Sequence, residues 1–240
     1  MRGSLDPNPS RKEGDCFLPH PTATHRLKRI STTRHSMPSL AITGTIGSGK
    51  TTALNILCSV IRESGYPCQR FSADEMNRSL LEHDADVKRL IAQHLGEACL
   101  NRSGAIDREV LFRKISTDSR NRTLLESILH PRIRSRWKPL AEGHRGRPGA
   151  FFVAEIPLLF EKNLETFFDR TLLLGCTGAV REERLRINRD TPPGKAAAWL
   201  SIQQSQEAKI TRSDHLLWND GTLISLTSQI RRFLHTLPAR

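Results

Sequence analysis

Short apolar runs alternate along this chain with longer stretches whose hydrophobic residues recur every three or four positions. The runs at 38–43, 68–71, 151–156, 171–175 and 215–218 have the length and character of buried strands. Between them, Thr52 to Glu63 keeps helical spacing, with Leu54, Leu57 and Ile61 on one side. Residues 221–236 read as a closing amphipathic helix with Leu223, Leu226, Ile230 and Phe233 inward. This alternation predicts an α/β fold, a parallel sheet covered by helices on both faces. From Met76 to about Gly149 no strand pattern occurs, so 76–149 is expected to be a helical insertion. No internal repeat is present. Met1 to Met37 has no hydrophobic periodicity, and Pro7, Pro9, Pro19 and Pro21 break any helix there. That stretch reads as a disordered tail, or as an extension ahead of a start at Met37, and the folded domain as 38–240; no catalysis is expected in the tail.

Composition sharpens the class. Of 240 residues 37% are hydrophobic and 26% charged, enough to bury a core and to exclude wholesale disorder. No run of 18 apolar residues occurs, which excludes a membrane-spanning helix and argues against a membrane partner. Lys and Arg number 37 against 25 Asp and Glu, a net charge of +12. Such a surface favours polyanions: nucleic acid, anionic lipid or small phosphorylated ligands. Cys16, Cys58, Cys68, Cys99 and Cys176 are widely spaced and form no C-x-x-C pair. Neither a disulfide framework nor a zinc site is expected, and a reducing cytoplasm is the simplest setting. The tail also lacks the apolar h-region of a secretory signal.

The first strand runs directly into Gly44-Thr-Ile-Gly-Ser-Gly-Lys-Thr51, which fits the phosphate-binding loop G-x-x-x-x-G-K-[ST] at every fixed position. Glycines suit it because backbone amides must turn inward around phosphate oxygens, and the following helix points its partial positive charge the same way. Gly44, Ile46, Gly47, Ser48, Gly49, Lys50, Thr51 and Thr52 are therefore candidate nucleotide-binding residues. Lys50 would reach the β- and γ-phosphates of ATP, and the Thr51 hydroxyl would ligate Mg²⁺. A chance glycine-rich turn is the plain alternative; the strand before it and the helix after it speak against that. The second strand, Cys68 to Phe71, ends in Ser72-Ala73-Asp74, where parallel sheets collect their ligands. Asp74 could accept a proton from an attacking hydroxyl, hold a metal through water, or simply cap the next helix. Position alone leaves these readings open.

Taken together, the loop and Ser72-Ala-Asp74 resemble the dephospho-CoA kinase family. Gly104-Ala-Ile-Asp-Arg108 with Leu111 is similar to that family's G-x-[IL]-D-R-x-x-L segment, and Leu125-Glu126 with His130-Pro131 to its L-E-x-[IL]-x-H-P motif. Glu155-Ile-Pro-Leu-Leu-Phe-Glu161 is similar to its P-L-L-[FV]-E segment, and Gln203, Lys209, Asp214 and Asn219 keep its spacing Q-x5-K-x4-D-x4-N. The likeness runs from about Leu40 to Ile230. It implies a P-loop fold with sheet order 2-3-1-4-5, an acceptor-binding lobe at 76–149 and a lid at 178–205. It also implies transfer of the ATP γ-phosphoryl group to the ribose 3′-hydroxyl of dephospho-CoA, with Mg²⁺. By the same resemblance Asp74 is the candidate base, Lys50 and Arg184 are catalytic, and Arg189 and Asn219 contact ATP. Arg108 and His130 face the acceptor.

Several residues admit plainer roles: Arg184 and Arg189 as solvated charges, His130 as a turn or packing residue, Asn219 as part of a turn. The chain also departs from the family pattern. Ser72 stands where the family has Asp, and the lid arginines lie five apart, so Arg186 competes with Arg184 for its role. The other readings of the loop are a different nucleoside or nucleotide kinase, and a nucleic-acid-binding P-loop NTPase. Aromatic residues are only 5% and no stacking motif occurs, so no nucleic acid is expected as a partner. A monomer or weak oligomer is expected.

Overall fold

A computed structural model describes residues 39–145, 149–189 and 203–237, with only the backbone at 188 and 189. The expected tail 1–37, residues 190–202 of the expected lid and the side chain of Arg189 lie outside the described residues.

Five strands form one parallel sheet in the order β2-β3-β1-β4-β5. They are β1 (Ser39–Thr43), β2 (Cys68–Ser72), β3 (Phe151–Glu155), β4 (Arg170–Gly175) and β5 (His215–Trp218). The order is the one the family resemblance implies. The central strands β1 and β3 are buried along their whole length, which is why their sequences are apolar at successive rather than alternate positions. Ile42 and Ser72 both stand opposite Glu155 in register, so three strand ends converge on one charged residue.

Each face of the sheet has its own cover. On one side α1 (Lys50–Glu63) and the closing helix, here α8 (Leu223–Thr236), bury Leu54, Leu57, Ile61, Leu226, Ile230 and Phe233 against Leu40, Ile42, Val153 and Leu172. Leu223 departs from the expectation: it is 62% exposed. It is the first helical residue after the Thr222 cap, and the inward stripe begins one turn later at Leu226. On the other face Ala41, Phe152 and Ala154 meet Trp137 and Ala141 of α5 (Ser119–His144), with Phe160 and Phe168. The Trp137 ring stacks on Phe168 with centroids 5.2 Å apart.

The insertion is helical: α2 (Ala73–His83), α3 (Ala85–Leu95), α4 (Arg108–Thr117) and the 26-residue α5. It has a core of its own, in which Leu80, Val87, Ile91, Leu111, Leu125 and Ile128 pack together. Asp84, Asp107 and Asp118 cap α3, α4 and α5, each accepting a backbone N–H of the first turn. Two further helices complete the described chain, α6 (Gly178–Arg189) after β4 and α7 (Gln206–Arg212) before β5.

Candidate active site

The loop between β1 and α1 is shaped by its glycines and held by distant side chains. Gly47 and Gly49 have φ of 79° and 91°, conformations that a Cβ disfavours. A Cβ on Gly49 would stand 2.5 Å from Asn219 Nδ2, and one on Gly47 2.9 Å from Arg181 Cγ. The Ser48 carbonyl accepts from Asn219 Nδ2 at 2.8 Å and from Arg184 Nη1 at 3.4 Å. Gln203 Oε1 accepts the Ile46 N–H at 2.9 Å, and the buried Lys50 ammonium donates to Thr45 O at 3.1 Å. Thr45 Oγ1 and Ser48 Oγ are buried without a hydrogen-bond partner among the described residues. A loop whose glycines leave no room for a Cβ, rimmed by a buried cation and two unsatisfied hydroxyls, suits a phosphate chain.

Beside the loop stands a carboxylate that sequence reasoning passed over. Glu155 ends β3 at 1% exposure. It accepts from Ser72 Oγ at 2.9 Å and from Thr51 Oγ1 at 3.1 and 3.2 Å. Burial first, and then the charge of Asp74, push its carboxyl above the ordinary range; Lys50 and the two hydroxyls pull it back. Its signal in the sequence was an acid closing the otherwise apolar run Phe151-Phe-Val-Ala-Glu155. Hydroxyl and carboxylate oxygens side by side are the hard donors Mg²⁺ takes, one or two from protein and the rest from water and phosphate. Thr51 and Glu155 therefore fit the ion.

Asp74 lies exposed in the first turn of α2, next to this cluster. It is not the cap: Ser72 has the extended backbone of an N-cap and accepts the Glu75 N–H. That removes the helix-cap reading of Asp74. Thr52, the third residue of α1, is exposed. In α6 Arg184 faces the phosphate loop, whereas Arg186 is 73% exposed and pairs with Glu183 at 2.8 Å. Of the two, Arg184 is the one in contact with the loop.

The candidate acceptor residues have partners within their own surroundings. Arg108 is ion-paired with Glu82 near the end of α2. His130 is half-buried on α5 in an open groove beside Glu126 and Lys162, which pair with one another at 2.8 Å. Burial pushes the His130 imidazole below its usual value, with Glu126 acting the other way.

The spacing Q-x5-K-x4-D-x4-N acquires a meaning in three dimensions. Gln203 reaches the phosphate loop, Lys209 lies 3.0 Å from Glu161 after β3, Asp214 accepts Thr171 N–H at 2.8 Å at the start of β4, and Asn219 returns to the loop at Ser48. Four residues tie one C-terminal segment to three separate places, the phosphate loop at two points. The family model described as dephospho-CoA kinase matches residues 39–225. The chain belongs to the dephospho-CoA kinase family. A dephospho-CoA kinase of Salinibacter ruber is 31% identical over 190 residues, covering 79% of this chain and 92% of that protein. One from Methylococcus capsulatus is 27% identical over 191 residues, covering 80% and 92%. A crystal structure from Thermus thermophilus superposes with a TM-score of 0.64 at 28% identity, over 86% of this chain and 100% of that one. Dephospho-CoA kinase from Campylobacter jejuni has the same fold, with a TM-score of 0.53 at 21% identity over 83% and 96%.

Proposed function

We propose that the protein transfers the γ-phosphoryl group of ATP to the ribose 3′-hydroxyl of dephospho-CoA. The observation that carries the reading is the convergence of the phosphate loop, Glu155 and Asp74 at the carboxyl ends of β1, β3 and β2, in a chain of this family. Phosphoryl transfer asks for positioning and for positive charge around the equatorial oxygens. Lys50 supplies the fixed charge and Arg184 the charge from the lid. The 3′-oxygen bonds to the γ-phosphorus as the bond to the ADP oxygen breaks, and Asp74 takes the hydroxyl proton. Thr51 and Glu155 would hold Mg²⁺, which when bound neutralises charge on the transferring phosphate. Asn219 sets the Ser48 carbonyl, so its part in nucleotide binding runs through the loop. Arg189 is assigned to ATP by family position, and Arg108 and His130 to the acceptor.

Among the described residues no helix is long and apolar enough to cross a membrane, and Cys58, Cys68, Cys99 and Cys176 are free thiols. Both support a cytoplasmic setting. An ADP-release assay offering dephospho-CoA, nucleosides or single-stranded RNA in turn tests the reading. Turnover with dephospho-CoA alone is expected; RNA-stimulated hydrolysis without acceptor turnover would refute it.

A further inference from the structure

The segment that returns from the lid is fastened by buried charge. Lys209 on α7 is fully buried, and Glu161, in the loop after β3, is 10% exposed. They lie 3.0 Å apart. The carboxylate oxygen that meets Lys209 also accepts the Gln204 N–H at 2.8 Å, while the other oxygen is buried without a hydrogen-bond partner. One residue earlier, Gln203 holds the Ile46 N–H of the phosphate loop. Arg212, farther along α7, donates to Phe160 O at 2.8 Å and to Asn163 Oδ1 at 2.9 Å, so the helix is tied to the same loop at both ends.

Burying two opposite charges costs desolvation that their attraction rarely exceeds, so such a pair is weak evidence for stability; its best-attested use is to fix register. Register is what Gln203 requires. A side chain that satisfies one particular amide, from a segment joined to the lid, loses that bond if the segment slips by a single residue. The Gln204 N–H shares the oxygen that meets Lys209, which places the adjacent Gln203 by way of the main chain.

We infer that the Glu161–Lys209 pair is a positioning device that keeps Gln203 on the Ile46 amide and so sets the phosphate loop for nucleotide. The inference rests on the reading that this loop binds ATP, not on the identity of the acceptor. The test is equilibrium binding of a fluorescent ATP analogue, without acceptor, to the wild type, to Glu161→Gln with Lys209→Met, to Gln203→Ala and to the triple variant. The charge-free pair keeps side-chain volume and an acceptor for Gln204. Its thermal midpoint is expected to stay near that of the wild type while nucleotide binds about fivefold to tenfold more weakly, the worth of one hydrogen bond. Adding Gln203→Ala should weaken binding no further, and KM for dephospho-CoA should not move. Wild-type nucleotide affinity in the charge-free variant overturns the inference, and so does a Gln203→Ala loss that multiplies with it. If the charge-free variant does not fold, Glu161→Asp replaces it, keeping the charge but withdrawing the carboxylate from Lys209 and Gln204: a loss matching that of Gln203→Ala upholds the inference, and wild-type affinity sinks it. A wild type that binds the analogue yet fails to phosphorylate dephospho-CoA refutes the acceptor reading and leaves this one standing.

Discussion

The phosphate loop and the helical insertion are built on different principles. On the nucleotide side, loop atoms are held by residues far away in sequence: Asn219, Gln203, Arg184 and Glu155 all reach the segment 46–51. On the side proposed to take the acceptor, Arg108 is bound to Glu82 of the same lobe, and His130 lies beside the local pair of Glu126 and Lys162. One half is preorganised, with binding groups already in their working positions; the other holds its charges in partnerships a ligand would have to replace. Substitutions on the first side should therefore cost chemistry and nucleotide binding, and those on the second mainly acceptor KM.

The sharpest way to break the contrast is Asp74→Asn, at the border of the two regions. Its kcat should fall by roughly 10²–10⁴ while ATP still binds; near-normal turnover would remove Asp74 from the chemistry. Gly49→Ala comes next. It adds about 1–2 kcal/mol of left-handed backbone strain and drives a methyl toward Asn219, so nucleotide affinity should drop about tenfold or more and Tm by several degrees. Calorimetry that finds both unchanged would mean the loop relaxes freely. Arg108→Ala should raise KM for dephospho-CoA about threefold to tenfold with KM for ATP unaltered; no change in either leaves Arg108 as the surface partner of Glu82.

The smallest effect concerns pH. The folded pKa of His130 is depressed by burial, so the unfolded chain protonates first. Stability should thus be complete above the ordinary imidazole value of about 6.5 and decline as pH falls below it. His130→Gln should flatten part of that decline in Tm between about pH 7.5 and 5.5. Part would remain, because His215 is depressed in the same direction. A slope identical to the wild type would show that His130 titrates normally.

The sequence showed most of what depends on periodicity. All five strands, the two-faced cover and the helical insertion follow from apolar runs that only a buried parallel sheet accommodates. What it hid depends on burial and backbone angles. Glu155 reads as an ordinary strand-end acid until β2 and α1 bring the Ser72 and Thr51 hydroxyls to it. Whether Ser72 or Asp74 caps α2 is decided by which residue has extended φ and ψ, and spacing does not carry that. Leu223 fits the helical stripe yet precedes the turn that meets the core. The segment 203–219 could be matched to a pattern, but the reason for its intervals is that its members finish on different strands and loops.

The long helix α5 belongs to two cores at once, with Leu125 and Ile128 in the lobe and Trp137 and Ala141 under the sheet. The lobe is consequently no detachable cassette. Transplanting it onto another nucleotide-binding scaffold would strip the recipient sheet of its lining unless the whole rod travelled with it, and cutting the rod midway would leave two exposed greasy stumps. An engineer reshaping the lobe should redraw the solvent side of α2 to α4 and leave that shared beam intact.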